Sequence, residues 1–364
     1  IPQAGAAWTA DYAFILENEP SQIVPLNSQQ ADAFRDAIEA WENVANIHFS
    51  EITETSSSVG EIRAAFSYVL SPSDAAAWAY LPSNNPEAGD VWLDPLYGPN
   101  QNLDEGGFGY LTLMHEIGHG LGLTHPFESS PPLSSQFDNL KYTIMSYNDS
   151  PLYASMDYPL TPMLYDIAAI QYLYGANWGY HTGNDVYLFD NNDANILTIW
   201  DAGGIDTLSA ANQSWSATID LREGRFSSIG PNNQNGAAID NIAIAFGAHI
   251  ENAVGGSGND TLIGNAGDNL LDGRGGLDIM TGGLGNDTYV LDNPGDQAVE
   301  AKNGGVDTLA ANFSTVLGKL FENLALTGLD PLNGTGNKLS NTLIGNDSAN
   351  LLDGSKGNDI LNGK

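Results

Sequence analysis

The sequence predicts an α+β domain over residues 1–178, followed by an all-β domain of parallel strands over residues 179–364. Helically spaced apolar residues and short strand-like runs fill the first part of the chain. Near residue 179 the composition shifts to Gly, Asn and Asp with sparse aliphatic residues, and a nine-residue motif recurs from Gly255. The chain has 364 residues, which is enough for two domains that each bury a core of their own.

The first domain opens with an amphipathic helix predicted over residues 29–45. Ser28 can cap this helix, and Phe34 and Trp41 lie on its apolar face. A closing helix is predicted over residues 164–174, where apolar residues again recur at helical spacing. Runs bounded by Ser, Pro, Gly and Asn predict four strands between these helices, over residues 47–52, 61–69, 77–81 and 90–93.

The sequence HEIGHGLGLTH at residues 115–125 carries the chemistry of a catalytic zinc site. His115 and His119 are four residues apart, so on a helix they project from adjacent turns of one face and can share one ion about 2.0–2.1 Å away. Glu116 is rotated by about 100° from these ligands. It is therefore predicted to be the general base, which takes a proton from the water that the metal activates.

The third ligand has to come from beyond the helix, because a tetrahedral ion cannot be surrounded from one helical face. Gly122 can adopt the left-handed conformation that ends a helix, after which the chain can bring His125 back to the metal. Three histidines leave the fourth position to water, as in catalytic sites. The alternative is a helix that carries two histidines and a glutamate by chance, and Gly122 and His125 at their fixed offsets argue against it.

The pattern H-E-x-x-H-x-x-G-x-x-H followed by a methionine resembles the signature of the metzincin endopeptidases. Met145 follows the last histidine, and Met145-Ser146-Tyr147 is similar to the serralysin branch, the secreted bacterial zinc proteases. The resemblance implies a metzincin catalytic domain in which Met145 forms an apolar floor beneath the zinc ligands. It also implies that Tyr147 is a labile further ligand that swings away to donate a hydrogen bond to the tetrahedral intermediate. The alternative for both residues is ordinary core packing.

The metzincin resemblance extends to the order of helix, strands and zinc helix. It implies that Trp78, Ala79 and Tyr80 form an exposed edge strand, along which a peptide substrate lies extended and pairs through its backbone. The alternative is that these three are plain sheet residues without contact to substrate.

The second domain contains four consecutive nine-residue repeats, which start at Gly255, Gly264, Gly273 and Gly282. They match the G-G-x-G-x-D-x-U-x repeat of RTX proteins, which forms a parallel β-roll. Glycines allow a tight turn whose carbonyls and Asp side chain bind calcium, and the x-U-x portion forms a short strand. Position U points inward, which predicts the core residues Leu262, Leu271, Met280 and Tyr289.

Resemblance to the RTX repeat also implies the calcium ligands, because two repeats make one winding and turns eighteen residues apart share an ion. A first site would combine Gly256, Gly258 and Asp260 with Gly273, Gly275 and Asp278. A second would combine Asn265, Gly267 and Asn269 with Gly282, Leu284 and Asp287, where Asn269 replaces the usual aspartate. A third could join the turn that ends at Asp278 to the turn that ends at Asp296.

Two further segments extend this pattern. A second repeat block starts at Gly336, and there Asn341 and Asn350 replace the aspartate, so its windings are expected to stack with little or no calcium. The stretch 306–332 that links the blocks is expected to add strands to the same stack. A loop before the roll resembles the serralysin calcium loop, whose implied ligands are Asp201, Gly203 and Asp206 with the carbonyls of His181 and Gly183 and with Asp185, and Glu251 for a neighbouring ion. Empty Asp-Gly turns are the alternative for the individual ligands.

The charge balance is strongly acidic, with 45 Asp plus Glu against 11 Lys plus Arg and a formal net charge of −34. Such a field repels nucleic acid and anionic membranes and favours divalent cations. The sequence contains no run of about 18 apolar residues, which is the length that would predict a membrane-spanning helix. The chain has no cysteine, so any stabilising cross-links would come from metals: one catalytic Zn²⁺ and several structural Ca²⁺.

These observations predict a secreted, calcium-stabilised zinc endopeptidase. The resemblance to serralysins implies protein or peptide substrates, a proteinaceous inhibitor as a further partner and a monomeric enzyme. It also implies export to the extracellular space by a one-step exporter that recognises a C-terminal signal. Ile1 suggests that a leader has been removed, and the chain stops at Lys364 just after another repeat opens, so the second domain is expected to be truncated at its C-terminus.

A different class of function is a calcium-dependent adhesion or surface-layer protein with an inert protease-like domain. Inert relatives usually lose the glutamate or a ligand histidine, whereas here all four residues are present. A serine esterase built on the same repeats would need G-x-S-x-G, which the sequence lacks. Casein digestion with and without a chelator separates these classes.

Overall fold

The chain divides into two compact units in a computed structural model that describes residues 23–53, 60–68, 75–85, 87–152, 157–189, 195–232 and 236–363. The first unit comprises Ile1–Tyr180 with Ile196–Thr198, and the second comprises His181–Asn195 with Ile199–Lys364. The first is α+β and the second consists mainly of stacked parallel strands, which confirms the predicted fold class. Ile1, Lys364 and the end of the predicted 61–69 strand lie outside the described residues.

The first unit contains a four-stranded sheet in the order β1-β2-β4-β3. Strands β1 and β2 are antiparallel, β2 and β4 are parallel, and β3 pairs antiparallel with β4 at the edge of the sheet. A buried ion pair between Arg63 and Asp90, 2.6 Å apart, ties β2 to β4. The elements are β1 Ile23–Pro25, α1 Ser28–Val44, β2 Arg63–Ser67, β3 Ala77–Ala79, β4 Asp90–Leu93, a short 3-10 helix Gly98–Gln101, α2 Phe108–Gly120, α3 Leu164–Tyr174 and the first two residues of β6 Leu197–Ile199.

Helix α1 begins at Ser28, close to the predicted start, but its cap is Asn27, so the predicted cap Ser28 is wrong. Asn27 has an extended backbone, and its side chain accepts a hydrogen bond from Gln30 N over 3.0 Å. The Gln30 side chain accepts in return from Asn27 N, which completes a capping box. The box satisfies two backbone donors that a cap at Ser28 would have left to water.

The strand predicted over residues 47–52 does not form. Ile47 N donates to Ala45 O over 2.8 Å, and Phe49 N donates to the Glu42 carboxylate over 2.6 Å. These backbone donors are therefore taken by the end of helix α1 rather than by a neighbouring strand. The strand over residues 90–93 and the closing helix over residues 164–174 are confirmed at their predicted bounds, and the strand over residues 77–81 is shorter than predicted.

Helix α2 carries the histidine motif through the centre of the first unit. Trp41 on α1 is fully buried, and its Nε1 donates to Met114 O on α2 over 3.2 Å. A Cβ at Gly118 would lie 2.8 Å from Met145 Sδ and 3.1 Å from Trp41 Cζ2. The glycine therefore lets both side chains approach the helix closely, which fixes α2 against α1 and the segment around Met145.

The second unit is built from short parallel strands stacked in register. One sheet has the order β23-β21-β19-β17-β15-β13-β11-β7-β5, and two smaller sheets have the orders β16-β14-β12-β8 and β18-β20-β22. Strands β9 and β10 pair antiparallel. The strands are β5 Val186–Leu188, β7 Thr207–Ser209, β8 Thr218–Asp220, β9 Phe226–Ser227, β10 Ile242–Ile244, β11 Asn252–Val254, β12 Thr261–Ile263, β13 Leu270–Asp272, β14 Ile279–Thr281, β15 Thr288–Leu291, β16 Gln297–Val299, β17 Thr308–Ala311, β18 Thr315–Val316, β19 Asn323–Leu326, β20 Asn333–Thr335, β21 Thr342–Ile344, β22 Leu351–Asp353 and β23 Ile360–Asn362.

The repeat positions predicted to point inward are buried. Leu262, Leu271, Met280 and Tyr289 are all 0% exposed, which confirms the predicted core of the roll. The linking stretch 306–332 contributes β17 and β19 to the long sheet, as predicted. Among the residues that the structure describes, no helix combines the length and apolar character that crossing a membrane requires.

Candidate metal centre and active site

Three imidazole nitrogens converge at helix α2. His125 Nε2 lies 3.3 Å from His115 Nε2 and 3.0 Å from His119 Nε2. Two nitrogens that each lie about 2.05 Å from one tetrahedral ion are roughly 3.3 Å apart, so this spacing suits a shared zinc ion. The three histidines form one of the groups that could hold a metal among the described residues, and they are the three predicted from the sequence.

The protein backbone sets the orientation of the first two rings. His115 Nδ1 lies 2.7 Å from Ile144 O, and His119 Nδ1 lies 2.8 Å from Leu123 O. A proton on Nδ1 that is donated to a carbonyl leaves the Nε2 lone pair free for a metal. Burial lowers the pKa of His115 to about 3 and also lowers the pKa of His119, which keeps both rings neutral, as metal ligation requires.

The turn after α2 brings His125 to the other two rings. Helix α2 ends at Gly120, and Gly122 has a φ of 102°, the positive value that the sequence predicted for this glycine. Leu123 N then donates to Gly118 O over 2.9 Å, which closes the turn. His125 Nδ1 lies 3.1 Å from Glu128 Oε2, close enough for an ion pair but not aligned for a hydrogen bond.

Glu116 is buried within the same helix, with 6% of its surface exposed. Its Oε2 atom is buried and has no hydrogen-bond partner among the described residues. Burial raises the pKa of the Glu116 carboxyl to about 8, so the group has an affinity for a proton far above that of an ordinary glutamate. A carboxylate with a free acceptor atom and a raised pKa beside three histidines has the properties of a general base.

The methionine turn lies against α2 and is held by Asp166, which the sequence analysis did not single out. Met145 is buried, and its sulfur lies where Gly118 leaves room. Asp166 Oδ2 accepts from Ile144 N over 2.7 Å, and its Oδ1 accepts from the Thr143 hydroxyl over 2.5 Å. Since Ile144 O is also the partner of His115 Nδ1, Asp166 on α3 helps to orient the His115 ring through the backbone. Its only sequence signal is an acid in the first turn of a helix.

Tyr147 lies beside the three histidines but remains 69% exposed. Its ring centroid is 4.5 Å from that of His125 and 5.7 Å from that of His115, against which it is nearly parallel. Partial burial, followed by the nearby Glu116 charge, raises the pKa of the phenol. The hydroxyl therefore stays protonated at neutral pH and can donate a hydrogen bond.

Strand β3 lies at the edge of the sheet, where the predicted substrate strand begins. Trp78 and Tyr80 are half-buried and pack against Trp92 and Ala65. Gly89 N donates to Tyr80 O over 3.0 Å, so the pairing with β4 continues past the end of β3. The edge position of Trp78 and Ala79 agrees with the prediction, and their contact with substrate stays a prediction.

The loop that precedes the roll brings together part of its predicted calcium ligands. Carboxylate oxygens of Asp185 and Asp201 lie within 4.8 Å of each other and of a ring nitrogen of His181, whereas the predicted His181 ligand is its backbone carbonyl oxygen. Asp206 is 0% exposed, and its Oδ2 is buried without a hydrogen-bond partner among the described residues. Asp206 N donates to Glu251 Oε2 over 2.8 Å, which places the predicted ligand Glu251 beside this loop. Burial, followed by neighbouring carboxylates, raises the pKa of Asp206 to about 6.

The turns of the roll stack as the predicted sites require. Asp260 N donates to Asp278 Oδ1 over 2.8 Å, and Asp278 N donates to Asp296 Oδ1 over 3.1 Å. A Cβ at Gly255 would lie 2.5 Å from both Asp260 Oδ2 and Gly273 O, so the turns that start at Gly255 and Gly273 approach closely. Asp278 Oδ2 is buried and has no hydrogen-bond partner among the described residues.

The second predicted site in the roll differs from the first at the sixth repeat position, where Asn269 replaces the usual aspartate. Asn269 N donates to Asp287 Oδ1 over 2.8 Å, so these turns also stack. However, the Asn269 amide group donates to Glu251 O over 3.0 Å and to Asn265 Oδ1 over 3.1 Å. Both ends of the Asn269 side chain are thus bonded within the protein, since its Oδ1 accepts from Asn265 N.

The described residues define a class of protein, in which a domain with three converging histidines is followed along the chain by a parallel β-roll. A family model described as Matrixin matches residues 7–175, and one described as Peptidase M10 serralysin C terminal matches residues 165–350. The chain belongs to the serralysin family.

Named relatives agree with this assignment. Serralysin C from Dickeya chrysanthemi is 36% identical over 266 residues, which cover 66% of this chain and 54% of the relative. Serralysin from Proteus mirabilis is 35% identical over 272 residues, covering 65% and 54%. Serralysin from Photorhabdus laumondii is 35% identical over 293 residues, covering 71% and 58%. The chain spans about half the length of the curated relatives it matches.

Proposed function

We propose that the chain acts as a secreted zinc endopeptidase that hydrolyses protein substrates and is stabilised by calcium. The observation that carries the proposal is the convergence of three Nε2 atoms, with spacings of 3.0 and 3.3 Å, beside a buried carboxylate with a free oxygen. The assignment to the serralysin family supports it. An extracellular location and export through a C-terminal signal are further parts of the proposal.

His115, His119 and His125 would hold the zinc ion, and the backbone carbonyls of Ile144 and Leu123 keep two of the rings in the ligating tautomer. Zinc, when bound, polarises the scissile carbonyl and lowers the pKa of water towards about 7.

Glu116 takes a proton from the attacking water and passes it to the leaving amine, which its raised pKa allows. The Tyr147 hydroxyl donates a hydrogen bond to the oxyanion that develops on the carbonyl. The free edge of β3 pairs with the extended backbone of the substrate, which presents one peptide bond at a time to the histidines.

Replacement of the base tests the assignment. We expect Glu116→Ala to retain zinc and the wild-type circular dichroism spectrum, while its casein cleavage falls by roughly two to four orders of magnitude because proton transfer is lost. Metal content by elemental analysis and initial cleavage rates are the measurements. Glu39→Ala is the control, since Glu39 is an exposed glutamate on another helix.

Two results would contradict the proposal. Near-normal cleavage by Glu116→Ala would remove Glu116 from the chemistry. A wild-type chain that binds zinc and calcium but cleaves no protein, with or without a chelator, would instead favour the inert adhesion or surface-layer class.

A further inference from the structure

The third histidine of the candidate zinc site is oriented differently from the other two. His115 Nδ1 lies 2.7 Å from Ile144 O, and His119 Nδ1 lies 2.8 Å from Leu123 O. His125 Nδ1 is also buried, but it has no aligned hydrogen-bond partner among the described residues. A neutral imidazole that binds a metal through Nε2 carries its proton on Nδ1, so this buried N–H group needs an acceptor.

The Glu128 carboxylate lies beside this nitrogen. Glu128 Oε2 is 3.1 Å from His125 Nδ1, which is a hydrogen-bond distance, and a small rotation of either side chain would align the N–H group with the oxygen. The His125 side chain is 14% exposed, whereas the Glu128 side chain is 55% exposed. The contact therefore joins a largely buried ring to a carboxylate at the surface.

A tight turn places Glu128 over the ring that precedes it in the chain. Glu128 N donates to His125 O over 3.0 Å, which closes a four-residue turn with Pro126 at its second position. Proline fixes φ near −65°, the value that this position takes in the common β-turns. Pro126 O in turn accepts from Leu133 N over 3.0 Å and from the Ser129 hydroxyl over 2.9 Å. These bonds hold the turn against the loop that follows it.

Phe127, in the same turn, packs against the plane of the His125 ring. The two ring centroids are 4.9 Å apart, and the planes differ by only 6°. The Tyr147 ring lies against His125 as well, with the centroids 4.5 Å apart. This packing leaves the imidazole little room to rotate. Phe127 thus restrains the plane of the ring, and Glu128 lies at the nitrogen that must carry the proton.

We infer that Glu128 is a positioning residue, which fixes the tautomer and the orientation of His125 for zinc. The inference rests on the zinc site of the proposed function. A carboxylate that accepts from Nδ1–H keeps the proton on that nitrogen, leaves the Nε2 lone pair for the metal and makes the ligand more basic. Its negative charge also offsets part of the charge of Zn²⁺, which three neutral imidazoles leave unbalanced.

The inference identifies the ligand whose orientation a single side chain controls. Backbone carbonyls orient His115 and His119, and no side-chain replacement removes a carbonyl. The pattern that identifies the three ligands ends at His125 and does not include Glu128. Replacement of Glu128 should therefore weaken zinc binding although Glu128 is not a ligand and belongs to no motif.

Zinc affinity of the full chain tests the inference. We expect Glu128→Ala to raise the Kd for zinc by about 10–100-fold, measured by competition with a coloured zinc chelator while calcium is kept in excess. Glu128→Gln keeps an oxygen that can accept from Nδ1–H but loses the charge, so its Kd should lie between those of wild type and Glu128→Ala. Glu39→Ala removes an exposed glutamate of the same unit and should keep the wild-type Kd.

Nuclear magnetic resonance of the imidazole N–H protons distinguishes a lost acceptor from a distorted loop. In the zinc-loaded Glu128→Ala chain, the Nδ1–H resonance of His125 should move upfield, because its acceptor is gone. The resonances of His115 and His119 should stay in place, since their acceptors are backbone carbonyls.

An unchanged Kd in Glu128→Ala would overturn the inference. A shift of all three N–H resonances would overturn it too, because it would indicate a general disturbance of the site. Neither measurement requires peptide cleavage, so a chain that binds zinc but cleaves no protein would refute the proposed function and leave this inference standing. A wild-type chain that binds no zinc would refute both.

Discussion

The turns of the second unit carry either an aspartate or an asparagine at the sixth repeat position, and the structure satisfies the two side chains differently. Asp278 Oδ1 accepts from Asp260 N over 2.8 Å, whereas Asp278 Oδ2 is buried without a partner among the described residues. Asn269 uses both ends of its side chain within the protein. The Asp278 turn thus leaves one oxygen for the proposed cation, and the Asn269 turn supplies its own donor. Asp260 differs from Asp278, because its Oδ1 accepts from Ala217 N over 2.7 Å and its Oδ2 accepts from Gly256 N over 2.6 Å.

In the second repeat block Asn341 behaves in the same way as Asn269, since its Oδ1 accepts from Asn337 N over 2.8 Å, whereas Asn350 Oδ1 is buried without a hydrogen-bond partner among the described residues. The Asn341 amide donates to Phe321 O and Glu322 O, each over 3.2 Å, and the Asn350 amide donates to Leu332 O over 3.0 Å. An N–H donor to a carbonyl of the neighbouring winding would here take the place of the cation proposed for the Asp278 turn. If calcium occupies that turn, as proposed, one β-roll combines windings stabilised by calcium with windings stabilised by side-chain amides.

The histidines of the proposed zinc site resemble Asn269, because their side chains also form hydrogen bonds within the protein. His115 and His119 each direct Nδ1 to a backbone carbonyl of the first unit, at 2.7 and 2.8 Å. Backbone hydrogen bonds therefore orient both rings. The turn of Asp278 instead leaves a buried carboxylate oxygen without a hydrogen-bond partner among the described residues.

Selective removal of calcium or zinc should have the largest effect on folding and on casein cleavage. Calcium chelation is expected to abolish much of the far-ultraviolet circular dichroism of the strands, because the acidic turns then repel one another and lose their bridging cation. Removal of zinc with calcium kept in excess should leave the spectrum unchanged and abolish casein cleavage. A calcium-free chain with an unchanged spectrum would show that the aspartate turns do not depend on the ion.

Asp278→Asn should have an intermediate effect on the free energy of unfolding, and this effect should increase with the calcium concentration. Burial, followed by the charges of Asp260 and Asp296, raises the pKa of Asp278 to about 6, so its ionised form is unfavourable without a cation. If one site is lost, the free energy of unfolding should fall by about 2.7 kcal/mol when free calcium is a hundredfold above its Kd.

The measurement for Asp278→Asn is thermal unfolding at several calcium concentrations. The difference from wild type should widen as calcium rises, because only the wild type gains from binding the additional ion. Asp330→Asn, at an exposed acid, serves as the control and should follow wild type throughout. A constant difference would indicate a packing defect and not the loss of a calcium site.

Features that depend on residue type at fixed spacing could be predicted from the sequence. The interval between His115, His119 and His125, with Gly122 between them, predicted three converging nitrogens, and the nine-residue period predicted which side chains the roll buries. In both cases the local backbone geometry follows directly from the spacing. The individual calcium ligands stay predictions, because their assignment rests on resemblance.

Features that depend on contacts between distant segments could not be predicted. Asp166 is an ordinary helical acid in the sequence, yet its oxygens accept hydrogen bonds from the Thr143 hydroxyl and from Ile144 N, beside Met145. The strand predicted over residues 47–52 is wrong because Glu42 takes the Phe49 donor.

Asn269→Asp should have the smallest effect on the free energy of unfolding. It tests whether the hydrogen bonds of the Asn269 amide stabilise its turn. The new carboxylate would face two acceptors, Glu251 O and Asn265 Oδ1, at the positions where the amide now donates. We expect the free energy of unfolding to fall by about 1–3 kcal/mol at the lowest calcium concentration that keeps the wild type folded. Asn312→Asp adds the same charge at an exposed position of the same unit and is the matched control.

The calcium dependence of Asn269→Asp then decides whether the turn can be converted. If the introduced carboxylate recruits an ion, the loss in stability should shrink as calcium rises, and dialysis should show one additional bound ion. A loss that stays constant would mean that the amide has a structural role but that its turn cannot form a calcium site. Stability above that of Asn312→Asp at low calcium would contradict the comparison, because the Asn269 amide would then contribute nothing that a carboxylate cannot replace.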